Sequence, residues 1–323
     1  MIKGALPIVQ TSTFGLFIIS YNRLEVLKES MSHFKKIFVN ENIFLIDKGS
    51  DYPPLRDYYN ELEKEGIHII YSNPMVGGPD GPGGLNDLHI EIDQYKGKFD
   101  YYAVTDPDIS LEGCDEDILD IYAQLLERYS EIDIVGPMLK IDDIPEEYPP
   151  REWCFRRHVD QFWSKKPEKI ELNKKDVYFQ KAKIDSTFGL LRSTKSYVRL
   201  LDGIRVYTPY EAKHLDWYIL PTAITEDQQH YMDNSNELIS NWGAKQYKKK
   251  PLHPILTKKE RLIYTTHYQN NKIILIQHQL PQHSMKFLKT YNFFVRSYLG
   301  IKRLPRVSNR FIRRAIKTLL GMK

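Results

Sequence analysis

Two carboxylates stand two residues apart at Asp106-Pro107-Asp108, directly after an apolar run from Tyr101 to Thr105. Carboxylates this close repel each other unless a proton or a cation joins them. A hard divalent ion, shared between one or two carboxylates and the phosphates of a substrate, resolves that repulsion. The competing reading is a solvated Asp-Pro-Asp turn, which ordinary turn chemistry also explains. The run before the acids is β-type in character and is stopped by Pro107, so it reads as a buried strand. Both acids then lie at the carboxyl end of a central strand, the edge where open α/β sheets hold their ligands.

The first hundred residues supply the elements that would position this pair. Gly15 to Ser20 is a short apolar run, and Leu24, Leu27, Met31 and Phe34 then recur at helical spacing. Asn42 to Asp47 predicts a second strand, about Pro54 to Lys64 a helix, and Ile67 to Tyr71 a third strand. A glycine-rich stretch from Asn73 to Asn86 follows, and Leu88, Ile92 and Tyr95 predict a helix before the Phe99 strand. Repeated β-α-β units with short crossovers imply a mainly parallel sheet covered by helices. There is no Gly-x-x-x-x-Gly-Lys-Ser/Thr loop and no properly spaced dinucleotide fingerprint.

The order of these pieces resembles the GT-A fold glycosyltransferases, most closely family 2. Four segments carry the resemblance: Ile18 to Arg23 at the first strand end, Ile46 to Ser50 at the second, Asn73 to Asn86, and Asp106-Pro107-Asp108. It covers residues 13 to 140 well and the remainder loosely. It implies a nucleotide-diphospho-sugar transferase fold and an enzyme that transfers a hexosyl or related sugar. The implied donor is a nucleotide-diphosphate sugar, with a UDP-sugar the first expectation, and the cofactor is Mn²⁺ or Mg²⁺. Asp108 is then a direct metal ligand, and Asp106 a ligand through water or a partner of the ribose hydroxyls. Asp47 would accept the imide N–H of a uracil and Tyr21 would stack on the base. Asn22, Arg23, Gly77, Gly78 and Asn86 complete the donor site. Asp47 also suits an Asx turn, Tyr21 core packing, and the glycines a surface loop.

The second half must supply the acceptor pocket and a base, because inverting transfer needs a group to take the acceptor's proton. Lys183 to Arg192, with Asp185, resembles the small-residue strand that family 2 enzymes place beneath the donor sugar. The adjacent Glu-Asp pair of the family is missing from Tyr207 to Tyr218. Glu211 and Asp216 are therefore the expected bases, with Asp185 near sugar or acceptor and Glu226-Asp227, on an expected loop, in reserve. His214 is a candidate third metal ligand, since neutral imidazole binds Mn²⁺; Glu211 and His214 would share a face if this piece is helical. Trp217 and Tyr218 suit a sugar platform or, more simply, a core. The aromatic and basic stretch Arg151 to Trp163 reads equally as acceptor surface or packed helix, and Asn173 to Lys183 as a hairpin or loop.

Composition bounds the rest. The 323 residues divide into a catalytic region 1–260, with a nucleotide-sugar half 1–140 and an acceptor half 141–260, and a tail 261–323. Cys114 and Cys154 make neither a disulfide framework nor a zinc spacing. No secretory signal and no run of 18 apolar residues is evident. The net charge of +4 hides an asymmetry: residues 261–323 hold 13 basic and no acidic residues. Phe311, Ile312, Ala315, Ile316, Leu319 and Leu320 can line one helical face beside Arg313, Arg314 and Lys317. That pattern predicts a basic amphipathic helix on an anionic membrane surface, with a helix packed on the catalytic region or a nucleic-acid contact as alternatives. No nucleic-acid motif is present. The expectation is thus a cytoplasmic, peripherally membrane-bound glycosyltransferase using a glycan or lipid-linked acceptor in surface polysaccharide synthesis. A non-catalytic binding module on a degenerate transferase fold, and a sugar-1-phosphate nucleotidylyltransferase, are the alternatives.

Overall fold

The computed structural model describes residues 12–74, 82–163, 165–234, 259 and 268–272. The chain divides into two units, residues 1–271 and 272–323. The tail segments expected to bind a membrane lie outside the described residues, as do Gly77 and Gly78.

The first unit is a mixed α/β structure. Its elements run β1 (Phe14–Ser20), α1 (Leu24–Ile37), β2 (Ile43–Asp47), α2 (Pro53–Lys64), β3 (His68–Tyr71), α3 (His89–Ile92), β4 (Tyr101–Thr105), β5 (Ile109–Ser110) and α4 (Ile118–Arg128). There follow β6 (Ile134–Pro137), α5 (Arg151–His158), β7 (Glu168–Leu172), β8 (Lys175–Ile184), β9 (Gly189–Arg192), β10 (Leu201–Val206), β11 (Lys213–His214) and α6 (Glu226–Asn234). Nine strands form one sheet in the order β3-β2-β1-β4-β9-β6-β10-β8-β7. The first four are parallel throughout, as the repeated β-α-β pattern requires. β9 enters antiparallel to both β4 and β6, and β8 is antiparallel to β10 and β7. The parallel reading therefore holds for the nucleotide half, whereas the later half is mixed, because short hairpin-type connections return strands antiparallel.

β1, β2 and β4 are buried almost end to end, the mark of strands covered on both faces. α1 buries Leu24, Leu27, Met31 and Phe34, the stripe read from the sequence. Large side chains such as these each contribute about 1.5–3 kcal/mol when fully buried. The helix expected over Leu88 to Tyr95 is instead short: a 3₁₀ turn at Leu85–Leu88, α3, and a second 3₁₀ turn at Lys96–Lys98. Asn173 and Lys174 both have positive φ, so the β7–β8 connection is a tight hairpin turn. On the neighbouring strands β6 and β10, Gly136 and Gly203 leave room for adjacent backbone; a Cβ on Gly203 would lie 2.5 Å from the Ile134 carbonyl oxygen.

Candidate active site

β4 ends at Thr105 and delivers Asp106 and Asp108 to the carboxyl edge of the parallel strands. The two acids then part company. Asp106 turns toward β9: its N–H donates to the Ser186 carbonyl at 2.7 Å, and its carboxylate accepts from Ser186 Oγ at 2.8 Å. Burial, together with the nearby charges of Asp108 and Asp185, holds its pKa well above the usual carboxylate range.

Asp108 turns the other way, and a two-stranded sheet decides what it meets. β5 follows it immediately and pairs antiparallel with β11, setting His214 opposite Ile109, while the Leu215 N–H donates to the Asp108 carbonyl at 2.7 Å. His214 and Asp216, more than a hundred residues away in sequence, are thereby brought to Asp108. One ligand atom from each of the three lies within 4.8 Å of the others, and all three side chains are buried. His214 Nδ1 stands 3.6 Å from Asp108 Oδ2, and its ring stacks on Trp217 at 4.9 Å and 9°. Trp217 is thus core packing that orients the imidazole.

Arg23 enters the same cluster from the β1–α1 turn. Its guanidinium binds both oxygens of Asp216, with Nη1 3.1 Å from Oδ2 and Nη2 on Oδ1, and Nη1 stands 3.4 Å from Asp108 Oδ2. Burial raises the Asp108 pKa; His214 and Arg23 oppose that, and Asp216 adds to it. For Asp216 burial also acts upward, but the Arg23 ion pair outweighs it and holds the carboxyl below its ordinary value.

A divalent cation fits this group. Two carboxylates and an imidazole form an acceptable donor set for Mn²⁺. Asp108 Oδ1 is buried with no hydrogen-bond partner among the described residues, a costly state that a cation would relieve.

The remaining residues singled out by the sequence fall into separate places. Asp47 is buried and engaged in its own turn, accepting from the Ser50 N–H at 3.2 Å, from Ser50 Oγ, and from the Tyr59 hydroxyl at 3.0 Å. Asn22, at φ 50°, fastens the β1–α1 turn to the one after β2. Its Oδ1 accepts from the Asp51 and Tyr52 N–H groups, and its Nδ2 donates to Asp51 Oδ1. Tyr21 packs edge-on against Tyr231, with its hydroxyl 3.2 Å from the Asn234 carbonyl. Asn86 is exposed, and its carbonyl faces His89 Nδ1 at 2.8 Å.

Asp185 lies after β8, its side chain 32% exposed, 3.7 Å from the buried Arg205 guanidinium and bonded to the Thr187 hydroxyl at 2.8 Å. Burial tends to raise its pKa, but Arg205 and Thr187 prevail and lower it. Phe188, two residues beyond Ser186, is held at φ +83° between the rings of Phe34 and Tyr122. Such a conformation costs about 1–3 kcal/mol and persists only where packing over-determines it.

The segment with Glu211 and His214 is extended, not helical: Ala212 is bridged to Leu139, and β11 begins at Lys213. Glu211 is buried with its carbonyl accepting from Cys114 Sγ, and it is not part of the group formed by Asp108, His214 and Asp216. Glu226-Asp227 opens α6 and is not a loop; Asp227 is buried and accepts the Glu25 N–H at 3.0 Å, capping α1 from outside. Arg23 itself was expected on the donor; the sequence held no sign that it would pair with Asp216. Beside the cluster, a cleft of about 700 Å³ is lined by Val26, Lys213, Leu215, Tyr218 and Leu220. Among the described residues no helix is long and apolar enough to cross a membrane.

No family model matches the sequence, and no curated protein matches it. Among solved structures the chain is similar to the mannosyltransferase PcManGT from Pyrobaculum calidifontis in complex with GDP-Man and Mn²⁺. The identity is 10%, the match covers 97% of this chain and 84% of that one, and the TM-score is 0.40. It is also similar to S. aureus TarS 1-349, at 11% identity, 82% and 80% coverage and a TM-score of 0.39. A third is glucosyl-3-phosphoglycerate synthase from Mycobacterium tuberculosis in complex with phosphoglyceric acid, at 11% identity, 57% coverage of each chain and a TM-score of 0.28. All three are distant likenesses.

Proposed function

We propose that the protein is a metal-dependent glycosyltransferase of GT-A type that moves a sugar from a nucleotide-diphosphate donor, a UDP-sugar for preference, to a glycan or lipid-linked acceptor. One observation carries this reading: Asp108, His214 and Asp216 converge, buried, at the carboxyl edge of a parallel half-sheet. Asp108, His214 and Asp216 would hold Mn²⁺ or Mg²⁺, with Asp106 nearby on the Ser186 side. When bound, the ion neutralises charge that develops on the departing diphosphate.

The chain's own residues divide the remaining work. Asp216, both of whose oxygens are engaged by Arg23, is poorly placed to accept a proton. We assign the acceptor's proton to Asp185, which is partly exposed, ionised at neutral pH and held in place by Arg205 and Thr187. Glu211 is the second candidate. Asp47 would serve the donor by shaping the turn after β2, with Tyr21 and Asn86 as further donor contacts. Inversion, a role in surface polysaccharide synthesis, the division of labour at residue 260, and peripheral attachment to the inner membrane face belong to the proposal. The last is supported by the charge pattern of residues 261–323.

The test is a thermal-shift screen of nucleoside diphosphates and nucleotide sugars, with and without Mn²⁺, on wild type and Asp108→Asn. A ligand present at 100 times its Kd adds about 2.7 kcal/mol of stability. Metal-dependent stabilisation that disappears in Asp108→Asn is expected; the absence of any nucleotide response would sink the reading. One observation favours a non-catalytic module instead, namely that Arg23 already neutralises much of the cluster. Sugar transfer by the wild type, lost in Asp108→Asn, excludes it.

A further inference from the structure

Arg23 lies where a divalent cation would need to act. Its side chain is 6% exposed and joins the two carboxylates of the candidate metal group, Asp216 through both oxygens and Asp108 through Oδ2. On its other face the guanidinium carbon stands 4.6 Å from the Tyr231 ring centroid, so a cation–π contact holds it against α6. Guanidinium is planar, permanently charged and matched to carboxylate in this paired geometry. Asp216 therefore offers no uncommitted oxygen. Asp108 Oδ2 is also shared with His214 at 3.6 Å, which leaves Asp108 Oδ1 as the carboxylate oxygen of the pair with no hydrogen-bond partner among the described residues.

A divalent ion coordinated by Asp108, His214 and Asp216 would meet this guanidinium at short range in a water-poor setting, where like charges repel strongly. Both cannot use Asp216 in the same way. We infer that Arg23 is an exchangeable counter-ion of the site: metal coordination by Asp216 displaces its guanidinium, and Arg23 thereby sets the metal affinity. This rests on the metal-site reading above. Displacement leaves a buried cation without its anion, which disfavours binding of metal alone. A diphosphate supplies that anion, so metal and anionic donor are coupled through Arg23 as well as through their own attraction. Arg23 thus acts as a positioning residue for Asp108 and Asp216 and as an internal competitor of the ion.

The experiment titrates Mn²⁺ alone, without nucleotide, and reads free Mn²⁺ by electron paramagnetic resonance for wild type, Arg23→Met, Arg23→Lys and Asp108→Asn. Arg23→Met is expected to bind Mn²⁺ at least tenfold more tightly than wild type. Arg23→Lys, which keeps a cation but not the two-pronged contact, is expected between them. Saturating pyrophosphate should tighten Mn²⁺ binding more in wild type than in Arg23→Met. If Arg23→Met and Arg23→Lys bind Mn²⁺ no better than wild type, while Asp108→Asn still abolishes binding, the displacement is refuted and the metal site stands. If none of the proteins binds Mn²⁺, both are refuted. Should Arg23→Met fail to fold, arginine side-chain NMR of the wild type decides: Mg²⁺ must shift the protected guanidinium signals of Arg23, and unchanged signals overturn the inference.

Discussion

Lowering the pH should weaken this protein through one buried histidine. His158 closes α5, is 6% exposed, and packs against Trp217 at 4.8 Å, the same ring on which His214 stacks. Its Nδ1–H donates to the Cys154 carbonyl at 2.7 Å. Burial lowers its pKa to about 3, against an ordinary value of about 6.5 in the unfolded chain. The folded state therefore binds fewer protons than the unfolded one below pH 6.5. Stability contributed by the neutral ring is complete above pH 6.5 and falls as the pH drops toward the folded pKa. Each full unit of pH well below 6.5 is worth about 1.4 kcal/mol, and the slope is smaller near 6.5 itself, so passing from 6.5 to 4.5 costs about 2 kcal/mol. A folded pKa one unit higher would change this little, since pH 4.5 would still lie above it. The assay is urea unfolding at pH 7.0, 6.0, 5.0 and 4.5, for wild type and His158→Phe, which keeps a ring and removes the titration. Other groups act in both proteins, so the difference between the two slopes isolates His158. The variant should be less stable at pH 7 and should lose about 2 kcal/mol less on acidification. Parallel slopes would refute the argument.

Asp106→Asn should fold at least as stably as wild type at pH 7, because burial and the charges of Asp108 and Asp185 already disfavour its ionised form while an amide oxygen still accepts from Ser186 Oγ; a clear loss in urea unfolding would contradict this. Gly203→Ala should destabilise by about 1–3 kcal/mol, since the new Cβ meets the Ile134 carbonyl across β6 and β10. Gly97→Ala, whose added Cβ meets nothing within 4 Å among the described residues, should lie within about 0.5 kcal/mol of wild type or above it. Asp227→Ala should cost about 1 kcal/mol by removing the cap on the Glu25 N–H, measured by thermal unfolding; an unchanged melting temperature would deny that the contact supports α1.

Residues close in sequence announced their own local structure here, because turn chemistry and side-chain period act over a few positions. The stripe Leu24, Leu27, Met31, Phe34 and the apolar runs ending at Ser20, Asp47 and Thr105 foretold α1, β1, β2 and β4 with their parallel order. Pro107 marked the end of a strand, and with it the edge on which Asp106 and Asp108 stand. His214 was singled out only through its residue type near an expected acid pair, and the helical option for that segment failed. The reason is that β11 is two residues long and exists through its pairing with β5, a long-range contact with no periodic signal. Which acid does what was equally hidden. Residues two apart on a regular strand share a face, but β4 ends at Thr105 and the chain turns at Pro107, so Asp106 faces Ser186 while Asp108 faces His214 and Asp216. Sequence spacing cannot say which face each takes. Asp47 has the right type for base recognition, yet Ser50 and Tyr59 absorb its oxygens. The sequence by itself thus determined the parallel half-sheet and the location of its chemical edge; the burial that unites Asp108, His214, Asp216 and Arg23 was decided by tertiary pairing, where charges far apart in the chain meet because water is excluded around them.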